Sequence, residues 1–177
     1  LFNSIVLLDP TIFHPSIIAV AKILNFLDLF KYTHPYALAA RKRRKSYHSY
    51  KEILQSYKKK KIFSKIEDQQ LEEYINSIFK KNNNKYELIY DKKWEEVIYL
   101  KAALRDYDIW RNLNSIKIPT LIIKPEINPV LRSMASKKIE KNHFIKVKIM
   151  KEATHLFPLE FPEKTSEIIF DFLSKNE

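Results

Sequence analysis

The chain of 177 residues contains no glycine at all. An average protein has about 7%. Without glycine there is no phosphate-cradling loop, no dinucleotide-binding fingerprint and no Gly-flanked nucleophile elbow. Cysteine is absent as well, which removes disulfides, thiolate chemistry and Cys-based zinc sites. The chain begins with Leu1, and its opening residues read as the inside of a strand. The expectation is therefore a piece of a longer protein, lacking whatever glycine-dependent machinery that protein has.

The size and a 45% hydrophobic share suit a folded core. No apolar run approaches the roughly 18 residues of a membrane span, and Leu1–Leu8 lacks the basic leader of a signal peptide. A cytoplasmic protein is the default expectation.

The net charge of +11 is unevenly placed. Residues 41–61 hold ten Lys or Arg and the single acid Glu52, for +9; the rest of the chain carries +2. Tyr47, Tyr50 and Tyr57 are interleaved, a pattern also found on nucleic-acid and anionic-membrane surfaces. However, Tyr50, Ile53, Leu54 and Tyr57 fall at helical spacing, which gives an amphipathic helix with a solvated basic face. A basic helical binding protein is therefore the lesser expectation and nucleic acid an unlikely partner. Attraction of an anionic substrate is a third use.

The apolar pattern alternates between strand and helix. Leu1–Leu8, closed by Asp9-Pro10, reads as a buried parallel strand. Helical spacing covers Ser16–Phe30, Pro35 into the Arg41–Lys45 cluster, Ser49–Lys58, Glu67–Lys80 and Lys93–Leu104. Asn82-Asn83-Asn84 is a break, and Tyr86–Tyr90 a short strand. Ile118–Lys124 is a second buried strand, a helix runs from Pro129 to about Lys141, and Phe144–Met150 is a third strand. Pro162 opens a closing amphipathic helix. Strand–helix–strand–helix implies parallel strands with crossover helices. The organisation expected is residues 1–10 as a core strand and acid-bearing turn, 11–115 as a helical cap or lid insertion, and 116–177 as the end of the core.

One stretch carries more information. After the third strand come Ala153-Thr154-His155-Leu156-Phe157-Pro158-Leu159-Glu160-Phe161-Pro162-Glu163. With the strand-Asp-Pro, the long insert and Ile118-Pro119-Thr120-Leu121-Ile122-Ile123, this order resembles the α/β-hydrolase superfamily. There a His comes after the last strand, and His-x-x-Pro-x-Glu-x-Pro leads into the final helix. Ala39–Arg44 is similar to lids of some members. The resemblance covers nearly the whole chain, and its specific part is the C-terminal end.

The resemblance implies the C-terminal part of an α/β-hydrolase fold, with the nucleophile and oxyanion donors upstream of Leu1. It implies His155 as general base, since an acyl-transfer triad needs a base that reaches the nucleophile and an acid that fixes its tautomer. Two positions are open for that acid. Asp9, in Leu8-Asp9-Pro10, matches members that place it after the earlier strand; Glu126 lies in the loop after Ile118–Lys124. The position aligned with the acid of many other members is Asn128, an amide, and Glu152-Ala153-Thr154 stands where a Gly is usual. Phe13, Trp94, Trp110 and Leu156 are candidates for lining a substrate pocket, with core or lid packing the plainer role for the tryptophans.

The activity implied is esterase-like hydrolysis of a small ester, thioester, amide or C–C bond substrate, with Ser as the upstream nucleophile. An upstream Asp would instead give dehalogenation or epoxide opening. A non-catalytic relative is the alternative within the same fold. No cofactor is expected and no ligand spacing marks a metal site; nothing in the sequence bears on oligomeric state. The chain by itself is expected to be inactive.

Overall fold

A computed structural model describes residues 2–176. In chain order the elements are β1 (Ile5–Leu8), α1 (Pro15–Phe26), α2 (Phe30–Thr33), α3 (Pro35–Lys42), β2 (Ser46–Tyr47), α4 (Tyr50–Lys58), α5 (Asp68–Ile78), β3 (Phe79–Asn82), β4 (Lys85–Leu88), α6 (Lys92–Arg105), α7 (Tyr107–Asn112), β5 (Thr120–Pro125), α8 (Ser133–Ile139), β6 (Ile145–Met150), α9 (Phe157–Glu160) and α10 (Pro162–Leu173). They fall into two compact units. One comprises residues 1–27 and 102–177, the other residues 28–101. The units divide inward of the expected borders at 10/11 and 115/116. Ile12 and Leu113, both inside the expected insertion, are buried in the core of the first unit.

The first unit is built on a parallel sheet of order β1-β5-β6. β5 is its central strand, and all six of its residues are buried. Successive side chains of a strand leave on opposite faces, so β5 seeds two cores. Ile122 packs with Ile12, Leu113, Leu131, Ala135, Ile139 and Ile145. Leu121 and Ile123 pack on the other face with Met150, Ala153 and Phe157, backed by Ile168, Ile169 and Phe172 of α10. Leu1, the first residue of the expected strand, lies outside the described residues.

The second unit holds more strand than the mostly helical insert expected, in which only Tyr86–Tyr90 reads as a strand. Its helices accompany an antiparallel sheet of order β2-β4-β3. β3 and β4 form a hairpin whose last pair is Asn82 with Lys85, leaving Asn83-Asn84 as a two-residue turn. The helical pattern expected to reach Lys80 ends at Ile78, because Phe79 already pairs with Leu88. Ile53, Tyr57, Leu71, Ile75 and Phe79 are buried here. α4 starts at a capping arrangement in which the Ser49 hydroxyl accepts the Glu52 amide at 3.2 Å and the Glu52 carboxylate accepts the His48 amide at 2.9 Å.

A second correction lies after β5. The helix expected from Pro129 begins only at Ser133, with Arg132 extended before it. Residues 129–132 remain a loop because the amides of Val130 and Leu131 are committed to a side chain from another strand.

Candidate active site

That side chain is Asp9. Ladder pairing of β1 continues one residue beyond Leu8, with the Asp9 amide donating to the Ile123 carbonyl at 2.7 Å. The backbone then turns left-handed at Asp9, φ 39°. Asp and Asn enter this region more readily than other non-Gly residues because their short polar side chains bond locally. The turn directs the carboxylate at the loop after β5. Oδ2 accepts the Val130 amide at 3.0 Å and Oδ1 the Leu131 amide at 3.2 Å. The Asp9 side chain is 1% exposed. Buried carboxylates persist only where such partners replace water.

The third partner of Asp9 is His155, whose Nδ1 lies 2.8 Å from Oδ2. Because the strands are parallel, Asp9, the 129–131 loop and His155 all come after the carboxyl ends of β1, β5 and β6, the edge where such sheets gather their functional groups. His155 is 44% exposed. Its Nε2 makes no hydrogen bond to a described residue, so one nitrogen is anchored on a buried acid and the other is left uncommitted among the described residues. This arrangement can hold the Nδ1–H tautomer, leave Nε2 as a proton acceptor and stabilise an imidazolium.

The other candidate positions sit elsewhere. The Glu126 carboxylate accepts the Glu152 amide at 2.9 Å, and no hydrogen bond joins it to His155. Asn128 is left-handed, φ 50°, at the turn of the same loop. Phe13 has both backbone polar groups held by side chains: its amide donates to Asp106 Oδ2 at 2.8 Å, and its carbonyl accepts from Trp110 Nε1 at 2.8 Å. Trp110 also packs against the Ile12–Leu113–Ile122 core. The loop that begins at Asp9 is thereby fastened at its far end. Sequence reasoning did not single out Asp106, since a lone acid between two helices carries no motif. Burial pushes its carboxyl above the usual Asp value, and the Phe13 amide pulls it partly back. Leu156, half-buried, adjoins His155. Trp94 belongs to the second unit, where it is 72% exposed and lines a recess with Tyr90, Glu95 and Ile98.

Lys124, buried in β5, donates from Nζ to the Leu131 carbonyl at 3.4 Å and to Ser136 Oγ at 3.3 Å. The loop that feeds Asp9 is thus held on both its donor and acceptor sides. His14 and His34, each before a proline, serve as helix caps: their Nδ1 atoms accept the Ser16 amide at 3.4 Å and the Ala37 amide at 3.3 Å. Burial keeps His34 below the ordinary imidazole value, which suits an accepting nitrogen. Among the described residues no group of three or more His, Asp or Glu could hold a metal ion, and no helix is long and apolar enough to cross a membrane.

Much of the basic stretch is spent within the second unit. Arg41 pairs with Glu96 at 2.6 Å, Arg43 with Glu95 at 2.7 Å, Arg44 with Glu52 at 2.7 Å and Lys58 with Asp68 at 2.6 Å. Arg43 also donates to the Tyr90 hydroxyl at 2.8 Å.

Solved structures share this arrangement of strands and helices. The peroxisomal α/β-hydrolase Lpx1 of Saccharomyces cerevisiae matches with a TM-score of 0.74 at 13% identity, over 99% of this chain and 46% of that one. The fold is that of an α/β-hydrolase. E-2-(acetamidomethylene)succinate hydrolase matches with a TM-score of 0.69 at 13% identity, over 98% of this chain and 58% of that one. For the M. tuberculosis esterase Rv0045c the values are 0.63 and 13%, over 98% and 55%. This α/β-hydrolase-like chain spans about half the length of the structures it matches. No protein-family model matches the sequence, and no curated protein matches it.

Proposed function

We propose that this chain carries the base and the acid of a serine-type α/β-hydrolase acting on a small ester, thioester, amide or C–C bond substrate. The observation that carries the reading is the His155–Asp9 pair, with the ring nitrogen 2.8 Å from a carboxylate that is buried and held by two backbone amides. Asp9 keeps the proton on Nδ1. Nε2 takes the proton of a serine hydroxyl as its oxygen attacks the substrate carbonyl, and returns it to the leaving group when the tetrahedral intermediate collapses. Asp9 stays ionised throughout and stabilises the imidazolium between those two transfers. The serine and the oxyanion-hole donors are supplied by polypeptide outside this chain.

The test is made on the assembled hydrolase and on this chain. In the assembled enzyme, Asp9→Asn and His155→Ala should each lower kcat for a nitrophenyl ester by several orders of magnitude, about 10⁴-fold for a mis-set tautomer. Glu126→Gln should retain most of the activity. A fluorophosphonate probe should label the assembled enzyme and leave this chain alone unreacted. Labelling at a serine of this chain, or full activity in His155→Ala, would overturn the reading.

A further inference from the structure

The side chain of His155 is 44% exposed, so its aim depends strongly on the backbone that carries it. That backbone is a glycine-free turn, residues 151–156, in which Glu152 is left-handed with φ 59°. Two carboxylates from outside tie it down. Glu126, in the loop after β5, accepts the Glu152 amide at 2.9 Å. Glu160, the last residue of α9, acts nearer the ring: Oε2 accepts the Thr154 amide at 2.8 Å, and Oε1 accepts the Thr154 hydroxyl.

The bonds continue past His155. The Thr154 hydroxyl oxygen accepts the Leu156 amide at 3.3 Å, and the Thr154 carbonyl accepts the Phe157 amide at 3.0 Å. Both neighbours of His155 are therefore fixed, one by Glu160 directly and the other through the hydroxyl that Glu160 holds. The buried Thr165 hydroxyl of α10 ties α9 down, lying 2.7 Å from the carbonyl of Phe161, the residue that closes α9, and 3.5 Å from that of Phe157 within it. Hydrogen bonds to an ionised carboxylate are stronger than neutral ones, and two of them converge on the residue before the base.

We propose that Glu160 is a positioning residue: acting through Thr154, its carboxylate holds the turn in the conformation that aims His155 Nδ1 at Asp9. Its importance for catalysis rests on the function proposed above. Glu160 touches no reacting atom. Its effect is read on the imidazole, in the tautomer and in the exchange of the ring proton with water.

The experiment is nitrogen-15 NMR of the His155 ring in this chain, with backbone amides of β5 and β6 as the folding control. In the unsubstituted chain the ring should be the Nδ1–H tautomer with a slowly exchanging proton. Glu160→Ala should speed that exchange about tenfold or more, the population change that accompanies loss of one charge-assisted hydrogen bond, and should mix the tautomers. Thr154→Val should act in the same direction, and Thr154→Ser, which keeps the hydroxyl, should restore the original signal. A merely structural threonine would not separate Ser from Val at the imidazole.

An unchanged ring signature in folded Glu160→Ala overturns the proposal. If Glu160→Ala does not fold, the Thr154→Val and Thr154→Ser pair decides, and identical ring behaviour in both overturns it. The hydrolase reading is tested apart from this. If the signature responds to Glu160 but His155→Ala leaves hydrolysis by the assembled enzyme intact, the positioning role stands and the hydrolase reading falls.

Discussion

At the scale of single residues, the site consists of side chains that replace water for one another. Asp9 is legible in the sequence as the end of a buried strand, because an apolar β-branched run closes on Asp-Pro. The amides of Val130 and Leu131 that hold its carboxylate are not legible, since Pro129 reads as a helix start and only the fold brings that loop to β1. Asp106 is a second buried acid, and its chemistry is testable. Its carboxyl is raised from the ordinary 3.8, by burial first, with the Phe13 amide opposing. A folded value above the unfolded one means that the folded state binds the proton more tightly. The associated stability is then full below the unfolded value and is lost as pH rises through the folded one. Asp106→Asn keeps an acceptor for the Phe13 amide and cannot ionise. Urea unfolding across a pH series should show the variant gaining on the parent as pH climbs from about 3.8 through the raised value, with a constant difference beyond it. A difference that does not vary with pH would refute the assignment.

At the scale of elements, the long periodic segments are the legible ones. β5, α4 and α10 announce themselves through apolar period and capping residues, such as Ser49 before α4 and Pro162 at the start of α10. Of the β2-β4-β3 sheet only β4 is legible, through the strand read at Tyr86–Tyr90; β2 has just two residues, and β3, Phe-Lys-Lys-Asn, has a single apolar position and displays no period of two. Asn82-Asn83-Asn84 marks a break without saying that the chain reverses there. The reversal depends on Asn83, at φ 50° in the two-residue turn. In a chain without glycine all five left-handed positions among the described residues fall to acids or amides: Asp9, Asp28, Asn83, Asn128 and Glu152. A β-branched residue is far less tolerant of that region, so Asn83→Val should destabilise the hairpin by about 1–2 kcal/mol, whereas Asn83→Gly should be neutral or stabilising. Chemical denaturation of both variants checks this, and equal stabilities for Val and Gly would show that the turn does not require a left-handed residue.

At the scale of the whole molecule, the two edges of the parallel sheet are unlike. β6 displays Lys146 and Lys148, charges of the kind that keep an edge strand from pairing with another chain. β1 reads Ile-Val-Leu-Leu and pairs only with β5 among the described residues. Nearby in sequence, α1 leaves Ile17, Val20 and Ile23 exposed, and Phe26 immediately at its end is 89% exposed. Apolar surface of this kind drives association when nothing covers it. The strong positive charge opposes association by repulsion, but some of the ten cations in its densest part, Arg41, Arg43, Arg44 and Lys58 among them, are paired with carboxylates. Burial of apolar surface should therefore outweigh the repulsion, and more so as salt screens it. The chain on its own should associate as its concentration is raised, and added salt should promote rather than reverse this. Val20→Glu combined with Phe26→Lys, two exposed sites whose change costs the core nothing, should shift the population toward monomer in sedimentation velocity. A parent chain that stays monomeric at every accessible concentration would mean that β1 and α1 are adequately shielded as they stand, and association that dissolves with salt would assign it to charge instead.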